Sequence, residues 1–221
     1  MQLERYEQFW WNEDDERRYR EAMSRPFSAL VFTLLSQNTS SANTRSAYRG
    51  LTAAFRVTPG VLRDADGAAL AEAIKPGGLH HVKAARLREL AAFVIDEYDG
   101  DLGWVYKLPR DVARQRLLEM PGIGPKTADV LLSSVHGQRE AFVVDTHMFR
   151  IAFRLGLVER DASYGEVQRC LTLLFPWDSI PDGERDRVVQ LFWFLARHTC
   201  SARNPRCPEC PLADICEQRL E

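Results

Sequence analysis

Apolar residues recur at helical spacing along almost the whole chain, and stretches that alternate as a strand does are scarce. Leu30, Val31, Leu34 and Leu35 form one stripe, and Leu87, Leu90, Ala91 and Val94 another. Met148, Ile151, Ala152 and Leu155 make a third directly after Asp145-Thr146, and Val188, Val189, Leu191, Phe192 and Leu195 the last. Breakers fall at Pro59-Gly60, Pro76-Gly77-Gly78, Gly100 to Gly103, Pro121 to Pro125 and Pro176 to Gly183. The pattern predicts an all-α chain of short helices of about two to four turns. At 221 residues, 45% apolar and 27% charged, such a chain can bury a real core. There is no solenoid repeat and no Ser/Gly-rich linker, so two lobes, if present, share a cleft rather than a tether. The charged run from Glu13 to Glu21 puts acids before bases, as a solvated helix face would.

No apolar run reaches the roughly 18 residues of a membrane span. The start, Met1-Gln2-Leu3-Glu4-Arg5, has no apolar signal core behind it, which argues against export and for a cytoplasmic protein. The formal net charge of -2 gives no hint of nucleic acid, so any such partner has to be argued from local features. Four of the five cysteines, Cys200, Cys207, Cys210 and Cys216, fall within the last 22 residues. An odd count and one tight cluster speak against a secreted disulfide framework and for a metal site in a reducing compartment. Only one spacing is the tight Cys-x2-Cys, whereas zinc sites usually show two tight pairs. Iron–sulfur clusters accept more varied spacing, so both stay open on spacing alone. Cys170, among Leu171, Leu173 and Leu174, reads as an inert buried thiol.

Met120-Pro121-Gly122-Ile123-Gly124-Pro125-Lys126-Thr127-Ala128 lies between two apolar helices. Two glycines around one apolar residue allow a sharp turn with Ile123 buried. Gly122 and Gly124 then present backbone N–H groups at the start of the second helix, where the dipole favours an anion: a phosphate clasp indifferent to base sequence. Gly-x-Gly by itself reads first as an ordinary helix–helix turn. Lys126 adds chemistry. In the first turn of a helix the dipole disfavours an ammonium, so its amine is expected to give up its proton more readily and act as a nucleophile. A cationic phosphate contact is the plainer alternative. Nineteen residues on, Asp145 follows Phe142-Val143-Val144 at the start of an amphipathic helix. It reads as an N-cap and, compatibly, as a partly desolvated general base or cation stabiliser, with Asp145→Asn expected to keep most of the cap.

Taken together, these residues resemble the endonuclease III family within the helix-hairpin-helix DNA glycosylase superfamily. The resemblance runs from about Pro26 to Cys216. It rests on the ordered stretches Leu34-Leu35-Ser36-Gln37-Asn38-Thr39, Ile74-Lys75-Pro76-Gly77-Gly78-Leu79 followed by Lys83-Ala84, Pro121 to Ala128, Val144-Asp145-Thr146-His147, and the cysteine tail. It implies an all-α, two-lobed fold with DNA in the cleft between the lobes. Residues 26–138 would form a helical barrel with the helix-hairpin-helix at about 115–135, and 1–25 with 139–221 the cluster lobe. It further implies a bifunctional glycosylase and abasic-site lyase for oxidised pyrimidines in base excision repair. Lys126 would attack C1′ and Asp145 would take up a proton and stabilise positive charge. A Schiff base and β-elimination would follow.

The resemblance makes Cys200, Cys207, Cys210 and Cys216 the ligands of a structural 4Fe-4S cluster. Arg203 and Arg206 would then sit on a rigid phosphate-binding loop. Gln37, Asn38 and Leu79 would fill and wedge the space left by an extruded nucleotide. His147 is a DNA contact or a surface helix histidine. Partners would be double-stranded DNA with damaged or abasic sites and no membrane, bound by a cytoplasmic, nucleoid-associated monomer. The chain departs from the family pattern in four places: Asn38 at the family's glutamine position, Pro125, His80-His81, and one extra residue in the loop Gly137 to Glu140. A monofunctional or mismatch-specific glycosylase, in which Lys126 only binds phosphate, is one competing reading. A non-catalytic DNA-binding module sensing redox through its cluster is another.

Overall fold

A computed structural model describes residues 13–137 and 142–220. Residues 1–12 and the inserted-loop residues 138–140 lie outside the described residues. Eleven α-helices occur among the described residues: α1 Glu13–Met23, α2 Pro26–Ser36, α3 Ser41–Ala54, α4 Pro59–Asp64, α5 Gly67–Ala73, α6 His80–Tyr98, α7 Arg110–Leu118, α8 Pro125–His136, α9 Thr146–Arg154, α10 Tyr164–Leu174 and α11 Arg185–Phe194. No strand is present among them, so the fold is all-α as expected. At 19 residues, α6 exceeds the expected length because no breaker falls between His80 and Tyr98. No helix among the described residues is long and apolar enough to cross a membrane.

Local chemistry sets the helix starts. Pro26, Pro59 and Pro125 occupy first-turn positions, where the missing N–H costs nothing. Ser40 and Asp66 cap α3 and α5 by accepting from Asn43 and Ala69 N–H. Ser163 and Glu166 cap α10 reciprocally.

The described residues form two compact units, divided between Val135 and His136. The first, 13–135, is centred on α2, whose Phe27, Leu30, Val31, Leu34 and Leu35 are all buried. A helix apolar on most of its circumference belongs in a core, and α1, α3 and α6 surround this one. The resemblance implied that 1–25 would join the cluster lobe; among the described residues of that stretch, α1 packs in the first unit instead. Asp15 of α1 is buried against Arg45 of α3 at 2.8 Å, and Tyr19 meets Phe32 edge-on at 5.5 Å. The charged run is thus a solvated face with one exception, Asp15.

The second unit, 136–137 and 142–220, has its own core of Phe142, Val144, Met148, Ile151, Val167, Leu171, Trp177, Phe192 and Leu195. Its last helix does not end at Phe194. It widens into a π-helical turn, Leu195–Thr199, closed by Cys200 N–H donating to the Leu195 carbonyl at 2.9 Å. That turn delivers the chain to the first clustered cysteine. Cys170 on α10 is half-buried, its thiol 3.5 Å from the Leu157 carbonyl and pushed upward in pKa by burial.

Candidate active site

In the first unit, helices α7 and α8 enclose the glycine turn. Gly122 takes a φ of +76°, a left-handed conformation that a side chain would strain, and Ile123 is buried behind it. Ala128 N–H donates to the Gly124 carbonyl, so Gly124 stands at the helix start. Lys126 is exposed on the first turn of α8. The two helices are clamped by Arg114, whose Nε and second nitrogen reach the fully buried Asp129 carboxylate at 2.8 and 3.2 Å.

Two further loops are tied to this turn. Gln37, at the end of α2, donates its amide to the Gly122 carbonyl at 3.3 Å and to Thr127 Oγ1 at 3.4 Å. Its own carbonyl accepts from Arg86 of α6 at 3.5 Å. Asn38 beside it is exposed, with a φ of +54°. Leu79 is 58% exposed with a φ of +50°, a backbone state that costs an apolar side chain energy and is found at functional positions. Lys83, only 3% exposed, donates to the Leu35 carbonyl at 2.8 Å and the Gly77 carbonyl at 2.9 Å, and burial holds its pKa below the ordinary value. Lys83 therefore pins the root of the Asn38 loop to the root of the Leu79 loop. His80 and His81 pack together at 4.4 Å just after Leu79.

In the second unit, Asp145 caps α9, and one carboxylate oxygen, Oδ1, accepts from His147 and Met148 N–H, both at 2.9 Å. The other oxygen, Oδ2, accepts from Trp193 Nε1 at 2.7 Å. An asparagine could cap through the same oxygen, Oδ1, but would then turn its amide N–H toward the indole donor. His147 is half-buried, edge-on to Trp193 at 5.8 Å, with Nδ1 3.2 Å from the Arg150 guanidinium. Because arginine can only donate, Nδ1 accepts and the ring proton of the neutral form sits on Nε2.

The four cysteines are free thiols lining one recess together with Arg154, Thr199, Pro205 and Leu220. Their surroundings suit thiolate sulfurs gathered on one centre, because cationic and N–H donors face them. Buried Arg154 reaches Cys200 Sγ at 3.4 Å and the Ser201 carbonyl at 2.8 Å, and Gln218 N–H donates to Cys216 Sγ at 3.3 Å. Burial first, and then the neighbouring thiols Cys200, Cys216 and Cys207, push the Cys210 thiol upward in pKa, a penalty that a bound cationic centre relieves. Arg203 and Arg206 are exposed on the same loop. Arg206 donates to the His198 carbonyl at 2.9 Å and lies 3.7 Å from Glu209, so part of its charge is held by its own loop.

Reading the sequence placed Lys83 in a motif without a role, and passed over Asp129, Arg150 and Trp193. The first two carried a signal: a lysine and an aspartate at core positions of helical stripes. Trp193 carried none, because its partner lies 48 residues away.

Residues 31–176 match the HhH-GPD superfamily of base excision DNA repair proteins. Residues 200–216 match the iron–sulfur binding domain of endonuclease III, so the cysteine loop holds an iron–sulfur cluster. The chain is 34% identical to endonuclease III of Thermotoga maritima over 195 residues, covering 87% of this chain and 83% of that protein. It is 34% identical to endonuclease III of Bacillus subtilis over 149 residues, 67% of this chain and 62% of that one. A solved structure of a trapped endonuclease III–DNA covalent intermediate with an estranged adenine is similar with a TM-score of 0.71 at 30% identity, covering 95% of this chain and 97% of the other. A thermostable thymine-DNA glycosylase shares the fold with a TM-score of 0.71 at 23% identity, over 88% of this chain and 84% of that one. The chain belongs to the endonuclease III family of DNA glycosylases with abasic-site lyase activity.

Proposed function

We propose that the protein binds double-stranded DNA carrying oxidised pyrimidines or abasic sites, removes the base, and nicks the strand through a Schiff base on Lys126. The observation that carries this reading is the state of the lysines. The sequence holds four: Lys75, Lys83, Lys107 and Lys126. Lys83 is buried and committed to two carbonyls, Lys75 is paired with Glu72, and Lys107, though exposed, closes a 3-10 turn and starts no helix. Lys126 stands in solvent on the first turn of the helix that follows the glycine turn, where backbone donors and the dipole attract a phosphate. A relative 30% identical to this chain forms a covalent intermediate with DNA, which requires a protein nucleophile.

The free amine of Lys126 attacks C1′ of the extruded nucleotide and the base departs with the bonding electrons. Asp145 takes up the proton released by the amine and offsets positive charge on the sugar. The C1′–O4′ bond then opens, the nitrogen lone pair completing the iminium while O4′ takes the proton held by Asp145; the iminium acidifies the C2′ hydrogens, and loss of one as a proton expels the 3′ phosphate. Hydrolysis then frees the lysine. Asn38 and Leu79, both exposed on left-handed loop positions, fill and wedge the vacated stack, while Gln37 braces the glycine turn. Gly122 and Gly124 with Arg203, Arg206 and His147 hold the backbone and flanking groups. A 4Fe-4S cluster, when bound, supplies cationic charge that fixes the Cys200–Cys216 loop. The hairpin-bearing unit and the cluster-bearing unit would act on one duplex, as a monomer in the cytoplasm on nucleoid DNA.

The test is base release and nicking measured separately over duplexes with oxidised, mismatched and abasic sites. The expected result is release of oxidised pyrimidines with concurrent nicking, both lost in Lys126→Ala. Release without nicking would instead mark a monofunctional glycosylase, and binding with neither would mark a non-catalytic module.

A further inference from the structure

Asp145 puts its two carboxylate oxygens to different uses. Oδ1 is committed to capping α9 through His147 and Met148 N–H, and Oδ2 faces the indole N–H of Trp193 at 2.7 Å. The cap alone leaves the second oxygen undirected; the indole fixes it. Trp193 is itself held on several sides. Arg197 lies over its ring at 4.9 Å, His147 meets it edge-on at 5.8 Å, and Phe194 packs at 5.3 Å. Arg150 bonds the Ala196 carbonyl in the π-helical turn and donates to the Cys200 carbonyl at 2.9 Å, with His147 Nδ1 3.2 Å away. The indole is therefore anchored to the segment that begins the cluster loop, and the carboxylate is anchored to the indole.

We propose that Trp193 is a positioning residue for the reaction. Its indole N–H holds the Asp145 carboxylate in the one rotamer that serves both as helix cap and as proton acceptor. The inference rests on the reading of Asp145 as the assisting proton acceptor. A carboxylate held on both oxygens loses the rotamer freedom that would otherwise be frozen at each turnover, as preorganised sites require. A tryptophan is suited to this role because its ring is rigid and its only polar atom is a donor, which cannot compete for the proton that Asp145 must accept.

Trp193→Phe removes the donor and keeps a ring for Arg197 and His147. With the iron–sulfur absorbance intact, single-turnover base release is expected to fall about 10- to 100-fold while KM for the duplex changes by about twofold or less. The loss should vanish in an Asp145→Asn background, since a positioning residue has nothing left to position. Thermal unfolding gives a second readout independent of turnover. Asp145→Asn turns an amide N–H toward either the indole or the cap, so Tm should drop, and adding Trp193→Phe should recover part of that drop. Trp193→Phe at wild-type speed with Asp145→Asn inactive would overturn the proposal alone. So would equal rate losses in both backgrounds, or additive Tm losses. An active Asp145→Asn would overturn the reading beneath it.

Discussion

Lys83 shows how one side chain can organise a surface it does not occupy. Its ammonium satisfies carbonyls at Leu35 and Gly77, from the roots of two loops that the sequence treats as separate motifs. Gly77 is buried beside it, and a Cβ there would lie 3.0 Å from the Ala47 methyl, so even an alanine would have to press α3 aside by a few tenths of an ångström. Lys83→Met leaves both carbonyls without their donor and should cost about 1–3 kcal/mol at neutral pH. The pH dependence follows from burial. The folded state releases this proton below the ordinary 10.5, whereas the unfolded chain holds it up to that value. Between the two values the unfolded state binds more protons, so stability rises with pH there, and is flat below the folded pKa and above 10.5. Urea unfolding of wild type and Lys83→Met at stepped alkaline pH checks this: the gap between them should widen toward pH 10.5, and a constant gap would contradict the burial argument. Exposed Leu79 and Lys126, by contrast, were legible in the sequence, because glycine neighbours and a helix-start position are local facts. Trp193 was not, because packing within its unit alone decides what an indole meets.

At the scale of elements, the glycine turn depends on the angle between α7 and α8. Local sequence supplies the turn itself through Gly122, Ile123 and Pro125. The angle is fixed by Arg114 of α7 and Asp129 of α8, with Arg110 3.9 Å from the same carboxylate. Asp129 is fully buried, and the guanidinium that meets both of its oxygens offsets the cost of burying the charge. Arg114→Ala should destabilise the protein by about 3 kcal/mol, since it leaves a buried carboxylate without its bidentate partner. Asp129→Asn, which keeps an acceptor and removes the charge, should cost less. Equilibrium unfolding of the two variants tests the order; equal and small losses would mean the pair does not clamp the hairpin. The helical stripes of α2, α6, α9 and α11 were readable from period alone. The π-helical turn after Phe194 was not, because a one-residue widening leaves no mark on apolar spacing.

The whole molecule divides its work between two cores. One carries the glycine turn, Lys126 and the loops of Asn38 and Leu79, and the other carries Asp145, Trp193 and the cysteine loop. The order of motifs along the chain made the family legible, while the placement of α1 with the first core was not, because it depends on the buried Asp15–Arg45 pair. In the proposed reaction one particular amine, that of Lys126, forms the covalent link to DNA. Borohydride reduction of the protein on an abasic duplex, followed by proteolysis and mass spectrometry of the DNA-linked peptide, tests it most directly. The expected product is a single adduct on Lys126 that is absent in Lys126→Ala. An adduct on Lys75, Lys83, Lys107 or the N-terminal amine, or a trapped complex that persists in Lys126→Ala, would contradict it.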